Sequence, residues 1–102
     1  MTYRVEFSDA SRRQVRAIQR WWRANRPAAP ELFKQELQSA VARLVELPLA
    51  VPAPDVGRPG VRRLVLSRTR YHLYLVVDQA GRHVRILAVW HTSRGNLPPL
   101  DE

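Results

Sequence analysis

Two histidines, a tyrosine and several arginines in the second half of the chain have the chemistry that phosphate reactions need. His72 and Tyr74 lie two residues apart, and Arg85, His91 and Arg94 follow. A histidine or tyrosine can act as a general acid or base, and arginines stabilise charge that develops on a phosphate. If the fold gathers these side chains, they predict an RNA-cleaving site with His72 or His91 as the acid or base. The alternative is a set of surface residues satisfied by water and their neighbours.

Metal and thiol chemistry are disfavoured by composition and spacing. The chain has no cysteine, which excludes disulfides, a thiolate zinc site and a cysteine nucleophile. The histidines at 72, 83 and 91 have no cluster of carboxylates near them in the sequence. The chain also lacks a glycine-rich phosphate loop and a nucleophile elbow. We therefore expect neither a metal site nor a cofactor.

A row of arginines and a pair of tryptophans mark the N-terminal quarter of the chain. Arg12, Arg16, Arg20 and Arg23 share one side of a helix, where they either follow nucleic-acid phosphates or form a solvated outer face. Neighbouring helical residues point about 100° apart, so Trp21 lies at the border of the apolar face if Trp22 is in the core. Trp21 is then either a partly exposed anchor for a protein partner or a residue packed under the next helix.

The elements that position these residues follow from periodicity and from helix-ending signals. Residues 3–7 alternate as a strand, and Ser8 or Asp9 caps a helix that runs to about Arg23 or Asn25. A second amphipathic helix begins at Pro30 and ends before Pro48. Because the connection between them is short, the two helices form an antiparallel hairpin.

The second half of the chain is strand-like. Residues 48–60 form a proline-rich loop, and three strands at 61–66, 71–78 and 83–91 form an antiparallel meander with a turn at 79–82. Strict alternation in the last strand places Trp90 on one face with Val84 and Ile86, and Leu87 and His91 on the other. The predicted fold is α+β, with an N-terminal strand, the helix hairpin and then the meander, and with the helices on one face of the sheet.

Length and charge set the limits of these predictions. A chain of 102 residues fits one domain spanning 1–102, and its net charge of +8 favours an anionic partner. The N-terminal residues alternate between apolar and charged types and contain no long apolar stretch. We therefore expect a cytoplasmic protein that does not associate with membranes.

Three motifs together with the element order resemble the RelE/ParE superfamily of toxins from type II toxin–antitoxin systems. The resemblance covers nearly the whole chain. The motifs are GRPGVRRL at 57–64, YHLYLVVD at 71–78 and ILAVWHTSR at 86–94. RelE-like members cut mRNA on the ribosome, whereas ParE-like members are known for inhibiting DNA gyrase. His72 stands where the ribonucleases tend to have arginine, and residues 95–100 contain no tyrosine. The ending formed by His91 and Arg94 is similar to that of ParE-like members.

The resemblance therefore implies a ParE-like toxin that inhibits DNA gyrase without catalysing a reaction, stops growth, stabilises plasmids and forms a hetero-oligomer with a cognate antitoxin. The alternative that it leaves open is a ribosome-dependent mRNA endoribonuclease, with His72, Arg85, His91 and Arg94 in the catalytic set. Contact with the target is expected from the basic and aromatic residues of the sheet, and antitoxin binding from the helices. The target-binding residues are Arg63, Arg85, Trp90, His91 and Arg94, and the antitoxin-binding residues are Ile18, Trp21 and Leu32.

Overall fold

Alternating apolar residues and two amphipathic stretches produce the predicted order of elements. The computed structural model describes residues 2–54 and 58–101, so Gly57, which opens the first motif, lies outside the described residues. In chain order the elements are β1 (Arg4–Phe7), α1 (Asp9–Asn25), α2 (Leu32–Glu46), a single turn of 3-10 helix (Pro48–Ala50), β2 (Arg62–Leu66), β3 (Tyr71–Asp78) and β4 (His83–His91). The α+β class, the helix hairpin and the antiparallel meander are confirmed. The 3-10 turn is an element that the prediction of a loop at 48–60 missed.

The four strands form one sheet in the order β1-β4-β3-β2. β1 runs parallel to β4, with Val5 opposite Val84, and the other strand pairs are antiparallel. A parallel pair needs a crossover connection, and the intervening helices supply it. The first and last strands of the chain are therefore neighbours, and β2 and β1 form the two sheet edges.

The start of α1 is fixed by Ser8, one of the two predicted caps, together with Ser11. Ser8 is the N-cap residue, and its Oγ accepts a hydrogen bond from the Ser11 backbone N–H at 3.1 Å. The fully buried Ser11 hydroxyl lies within hydrogen-bond distance of the Ile86 carbonyl, at 3.0 Å. These contacts place the first turn of α1 directly on β4.

The start of α2 corrects the prediction that Pro30 belongs to its first turn. Pro30 lies in a turn, and the helix begins two residues later, at Leu32. The Ala29 N–H donates to the Arg26 carbonyl at 3.0 Å, and the Leu32 N–H donates to the Ala29 carbonyl at 3.3 Å. Two successive turns thus fill this connection, and the helical hydrogen bonds of α2 begin only after them.

The sheet separates a large apolar core under the helices from a smaller one on its other face. Buried residues of both helices meet those of the strands in the large core, including Phe33, Leu44, Leu73 and Ile86. A second cluster lies on the opposite face and consists of Val61, Tyr74, Leu87 and Ala88. Val76, Trp90 and Leu100 pack against it. No helix in the described parts of the chain is both long and apolar enough to cross a membrane.

A β-bulge in β4 overturns the predicted alternation of that strand. Leu75 pairs with Ile86 while Tyr74 pairs with Ala88, so Leu87 is an extra residue on β4. After the bulge, Val89 packs in the helix-side core with Ile86, and Trp90 packs on the other face. The prediction that Trp90 shares a face with Val84 and Ile86 is therefore wrong. One inserted residue reverses which side each following side chain takes.

Candidate functional site

Two grooves meet at the C-terminal end of β4. The larger, called here the helix-side groove, has a volume of about 730 Å³ and lies between α1, the β2–β3 turn and β4. The smaller, called the sheet-face groove, has a volume of about 190 Å³ and lies on the open face of the sheet. Both are lined by Trp90, His91 and Arg94. These three residues therefore connect the two faces of the sheet.

The helix-side groove combines an aromatic floor with a cationic rim. Trp21 is 44% exposed in it, and its ring lies edge-on to that of Trp22, with 5.8 Å between the ring centroids. Trp22 is buried, which confirms that it faces the core. Four arginines line the groove, and none of the described lining residues is acidic; they are Arg26, Arg68, Arg70 and Arg94. The groove is therefore suited to an apolar group that carries negative charge.

Glu36 of α2, which sequence reasoning missed, holds part of this rim in place. Its carboxylate accepts hydrogen bonds from the backbone N–H of Arg68 at 2.8 Å and of Thr69 at 2.9 Å. The Thr69 hydroxyl also donates to it, at 2.6 Å. Arg70, next along the turn, adopts a positive φ of 67°. Because Glu36 and Thr69 are 33 residues apart, no local pattern marks their contact.

His91 lines both grooves, so it shares the sheet-face groove with His72, the other candidate acid/base, while its ring packs against Tyr71. Its ring is perpendicular to that of Tyr71, with 4.9 Å between centroids. The Ser93 backbone N–H donates to His91 Nδ1 at 3.1 Å, and the Ser93 hydroxyl lies 2.7 Å from the same nitrogen. An Nδ1 that accepts carries no proton in the neutral ring, so Nε2 holds it. His91 thus presents a donor at the end of β4.

The sheet-face groove gathers His72, Tyr74, Arg63 and Arg94. His72 lies opposite Trp90 in the sheet, and the Tyr74 hydroxyl is 3.5 Å from His72 Nδ1. Burial lowers the pKa of His72 from its ordinary value of 6.5, and the Arg63 guanidinium lowers it further. His72 is therefore mainly neutral at neutral pH, with arginines close enough to attract an anion.

Trp90 and Arg94 form a stacked pair between the grooves. The Arg94 guanidinium carbon lies 3.9 Å from the centroid of the Trp90 ring, as in a cation–π contact. The Trp90 indole N–H donates to the Asn96 carbonyl at 3.0 Å, which turns the C-terminal segment towards the sheet. Arg58 further fixes that segment by donating to the Leu100 carbonyl at 2.6 Å.

Arg85 is separated from the other candidate residues. It forms an ion pair and hydrogen bond with Glu6 of β1, and its backbone lies opposite Val76. Val76 is four residues along β3 from His72, a distance of about 13 Å in a strand. Arg85 lines neither groove. The structure thus brings His72, His91 and Arg94 together and leaves Arg85 at the β1 side of the sheet.

Of the three residues predicted to bind the antitoxin, two line the helix-side groove and one does not. Ile18 and Trp21 line the helix-side groove. Leu32 is half-buried and packs against the core under the helices, outside the lining of that groove. Across residues 2–54 and 58–101, no group of three or more histidine, aspartate or glutamate side chains is placed to hold a metal ion.

Comparisons with known proteins give one family and several similar folds. The family model for the ParE toxin of the type II toxin–antitoxin system parDE matches residues 5–95. No curated protein matches the sequence significantly. Among solved structures, a chain from the chromosomal ParDE toxin–antitoxin system of P. aeruginosa has a TM-score of 0.73 at 18% identity, covering 90% of this chain and 98% of that one.

Two further structures share the fold. A mutant of the E. coli toxin RelE in the free state has a TM-score of 0.56 at 20% identity, covering 91% of this chain and 86% of that one. A chain of the RelBE2 toxin–antitoxin complex from Mycobacterium tuberculosis has a TM-score of 0.52 at 24% identity, covering 89% and 99%.

Proposed function

The chain belongs to the ParE toxin family of type II toxin–antitoxin systems, and we propose that it stops growth by inhibiting DNA gyrase. It binds its target without catalysing a reaction itself, and a cognate antitoxin neutralises it. On a plasmid, such a pair stabilises inheritance, because a cell that loses the genes loses the antitoxin supply. Gyrase acts on DNA inside the cell, so the proposal includes a cytoplasmic location.

The observation that carries this proposal is the separation of Arg85 from the other candidate nuclease residues. Arg85 is held by Glu6 at one side of the sheet, whereas His72, His91 and Arg94 line the sheet-face groove. A catalytic set must reach one scissile bond from a common position. The predicted catalytic set is therefore incomplete in this groove, which favours a binding surface over an assembled ribonuclease site.

The proposed target-binding surface is the sheet-face groove and its rim. Arg63, Trp90, His91 and Arg94 line this groove together. An aromatic ring beside arginines is typical of the residues that dominate protein interfaces. Arg85, which is paired with Glu6 away from the groove, then takes no direct part in the contact.

The antitoxin is proposed to occupy the helix-side groove and form a hetero-oligomer with the toxin. Trp21 and Ile18 offer an apolar floor, and the arginine rim fits an acidic segment that folds on binding. Solved complexes with this fold, such as RelBE2, contain a toxin with its antitoxin. Leu32, outside the groove lining, acts through the packing of α2.

An assay with two targets tests the gyrase proposal. Purified protein is added to gyrase with relaxed plasmid, and separately to translating ribosomes with a reporter mRNA. We expect loss of supercoiling and accumulation of cleaved plasmid, with the mRNA intact. Arg63→Gln and Arg94→Gln should weaken the inhibition, while Arg82→Gln, an exposed arginine outside both grooves, serves as the matched control.

One observation favours a second candidate, the ribosome-dependent mRNA endoribonuclease. His72 has a lowered pKa, lies beside the Tyr74 hydroxyl and shares a groove with Arg63 and Arg94. A neutral histidine can accept a proton while arginines hold the phosphate. If this candidate is correct, ribosomes will show cut mRNA, and His72→Ala or His91→Ala will abolish cutting without unfolding the protein. Unchanged cutting in both variants would contradict the mechanism.

A further inference from the structure

The outer face of α1 carries a row of exposed arginines. The row consists of Arg12, Arg16, Arg20 and Arg23, all of which are exposed. Their spacing places them within an arc of about 80° on the helix, opposite the apolar side that packs in the core. The row extends for about 16 Å along a rigid element. It is a fixed line of positive charge.

Carboxylates of the protein leave most of this charge unpaired. Arg12 lies 3.9 Å from Asp9. Over residues 2–54 and 58–101, no carboxylate forms an ion pair with Arg16, Arg20 or Arg23. Acidic side chains elsewhere serve the fold instead, as when Glu36 accepts backbone hydrogen bonds from the β2–β3 turn. The row therefore contributes strongly to the field of a chain with a net charge of +8.

We infer that the arginine row binds the phosphate backbone of duplex DNA. A straight row of guanidinium groups matches the regular line of phosphates along a duplex, and each contact releases condensed counterions. A membrane surface fits less well, because the apolar side of α1 packs in the core and is not available to insert into lipid. The choice of DNA rests on the proposed function, since a gyrase inhibitor meets an enzyme that holds duplex DNA.

The test is the salt dependence of DNA binding by the purified protein alone. Fluorescence anisotropy with a short labelled duplex gives affinity over a range of salt concentrations. The row variant carries Arg16→Gln, Arg20→Gln and Arg23→Gln. The control carries Arg4→Gln, Arg43→Gln and Arg82→Gln, three exposed arginines outside the row, so both variants lose the same charge. Circular dichroism melting confirms that each variant is folded.

The expected result is a change in the salt slope that depends on position. Three lost phosphate contacts should reduce the slope of log K against log salt by about 2.7, because each contact contributes about 0.9. The control variant should change this slope by less than about 0.9, the contribution of one phosphate contact. Equal slopes in the two variants, or a row variant that binds like the wild-type protein, would overturn the inference. The row variant is also tested for binding to polyglutamate. If it loses as much affinity for polyglutamate as for DNA, the inference is overturned, because the row would then bind acidic protein as well as it binds DNA.

A parallel gyrase assay separates this inference from the function on which it rests. A wild-type protein that binds DNA through the row but leaves supercoiling unchanged supports the row and refutes gyrase inhibition. If the wild-type protein inhibits gyrase but the row variant shows the same salt slope of DNA binding as the wild-type protein, gyrase inhibition is supported and the inference is refuted.

Discussion

The side-chain oxygen of Gln14 accepts a hydrogen bond from the backbone N–H of Val89 at 2.7 Å. Gln14 lies on α1, and Val89 follows the bulge at Leu87 in β4. The bond gives α1 a direct hold on the part of β4 that leads to Trp90 and His91. The bond therefore joins α1 to the segment of β4 that lies between the bulge and the two grooves.

Replacing Gln14 by leucine should therefore destabilise the protein. The Val89 N–H, on a residue that is 2% exposed, loses its acceptor, which costs about 1–3 kcal/mol of the free energy of unfolding. Denaturant unfolding measures this change. Gln38→Leu is the matched control, because Gln38 is exposed on α2 and should change the free energy by less than about 0.5 kcal/mol. Equal effects in the two variants would show that the bond does not hold β4.

Much of the fold follows from the sequence because its signals are local. The serine cap, the prolines after each helix and the alternation of residues 3–7 predict the elements closely. The bulge escapes prediction because Leu87, Ala88 and Val89 are all apolar, so no polar residue marks the change of phase.

The parts of the candidate site that the sequence misses depend on distant contacts. Glu36 reaches the β2–β3 turn from α2, and Glu6 reaches Arg85 through the parallel pairing of β1 with β4. Neither pairing has a sequence spacing that reveals it. Trp21, in contrast, is predictable as a border residue, since its neighbour Trp22 is committed to the core.

Truncating Trp21 tests the proposed antitoxin groove. Trp21→Ala should weaken antitoxin binding by about 1–3 kcal/mol, because the variant loses an exposed aromatic anchor in the groove floor. Titration calorimetry with the cognate antitoxin measures the loss. Val65→Ala removes an exposed apolar side chain outside the groove and should leave the affinity unchanged. Full affinity in Trp21→Ala would place the antitoxin elsewhere.

Glu36 is expected to act on both stability and the groove rim. Glu36→Ala leaves the Arg68 and Thr69 N–H groups without their carboxylate acceptor, at a cost of about 1–3 kcal/mol. Hydrogen exchange should quicken at Thr69, and the antitoxin affinity should fall as the rim loosens. Glu46→Ala, at an exposed position on α2, is the control. An unaltered rate of hydrogen exchange at Thr69 would show that Glu36 does not hold the β2–β3 turn.

His72 should make stability depend on pH below 6.5. Its pKa in the folded protein is lowered from 6.5, so the unfolded chain binds more protons between the two values. The contribution of neutral His72 is complete above 6.5 and declines as the pH falls through the folded pKa. His72→Gln should remove this part of the pH dependence. The free energy of unfolding of His72→Gln and of the wild-type protein, measured across this pH range, gives the difference.

An NMR titration of the His72 ring checks the same effect directly. Its midpoint should lie below 6.5, and Arg63→Gln should raise it, because the nearby positive charge is removed while burial remains. A midpoint at or above 6.5 in the wild-type protein would contradict the environment described for the sheet-face groove.

The most direct test of the central claim is a supercoiling titration with purified gyrase, relaxed plasmid and increasing amounts of this protein. The account predicts that supercoiling falls and cleaved plasmid accumulates as the protein is added, and that an equimolar amount of cognate antitoxin restores supercoiling. Undiminished supercoiling at saturating protein, together with mRNA cleavage on ribosomes by the same preparation, would contradict gyrase inhibition and assign the ribosome as the target.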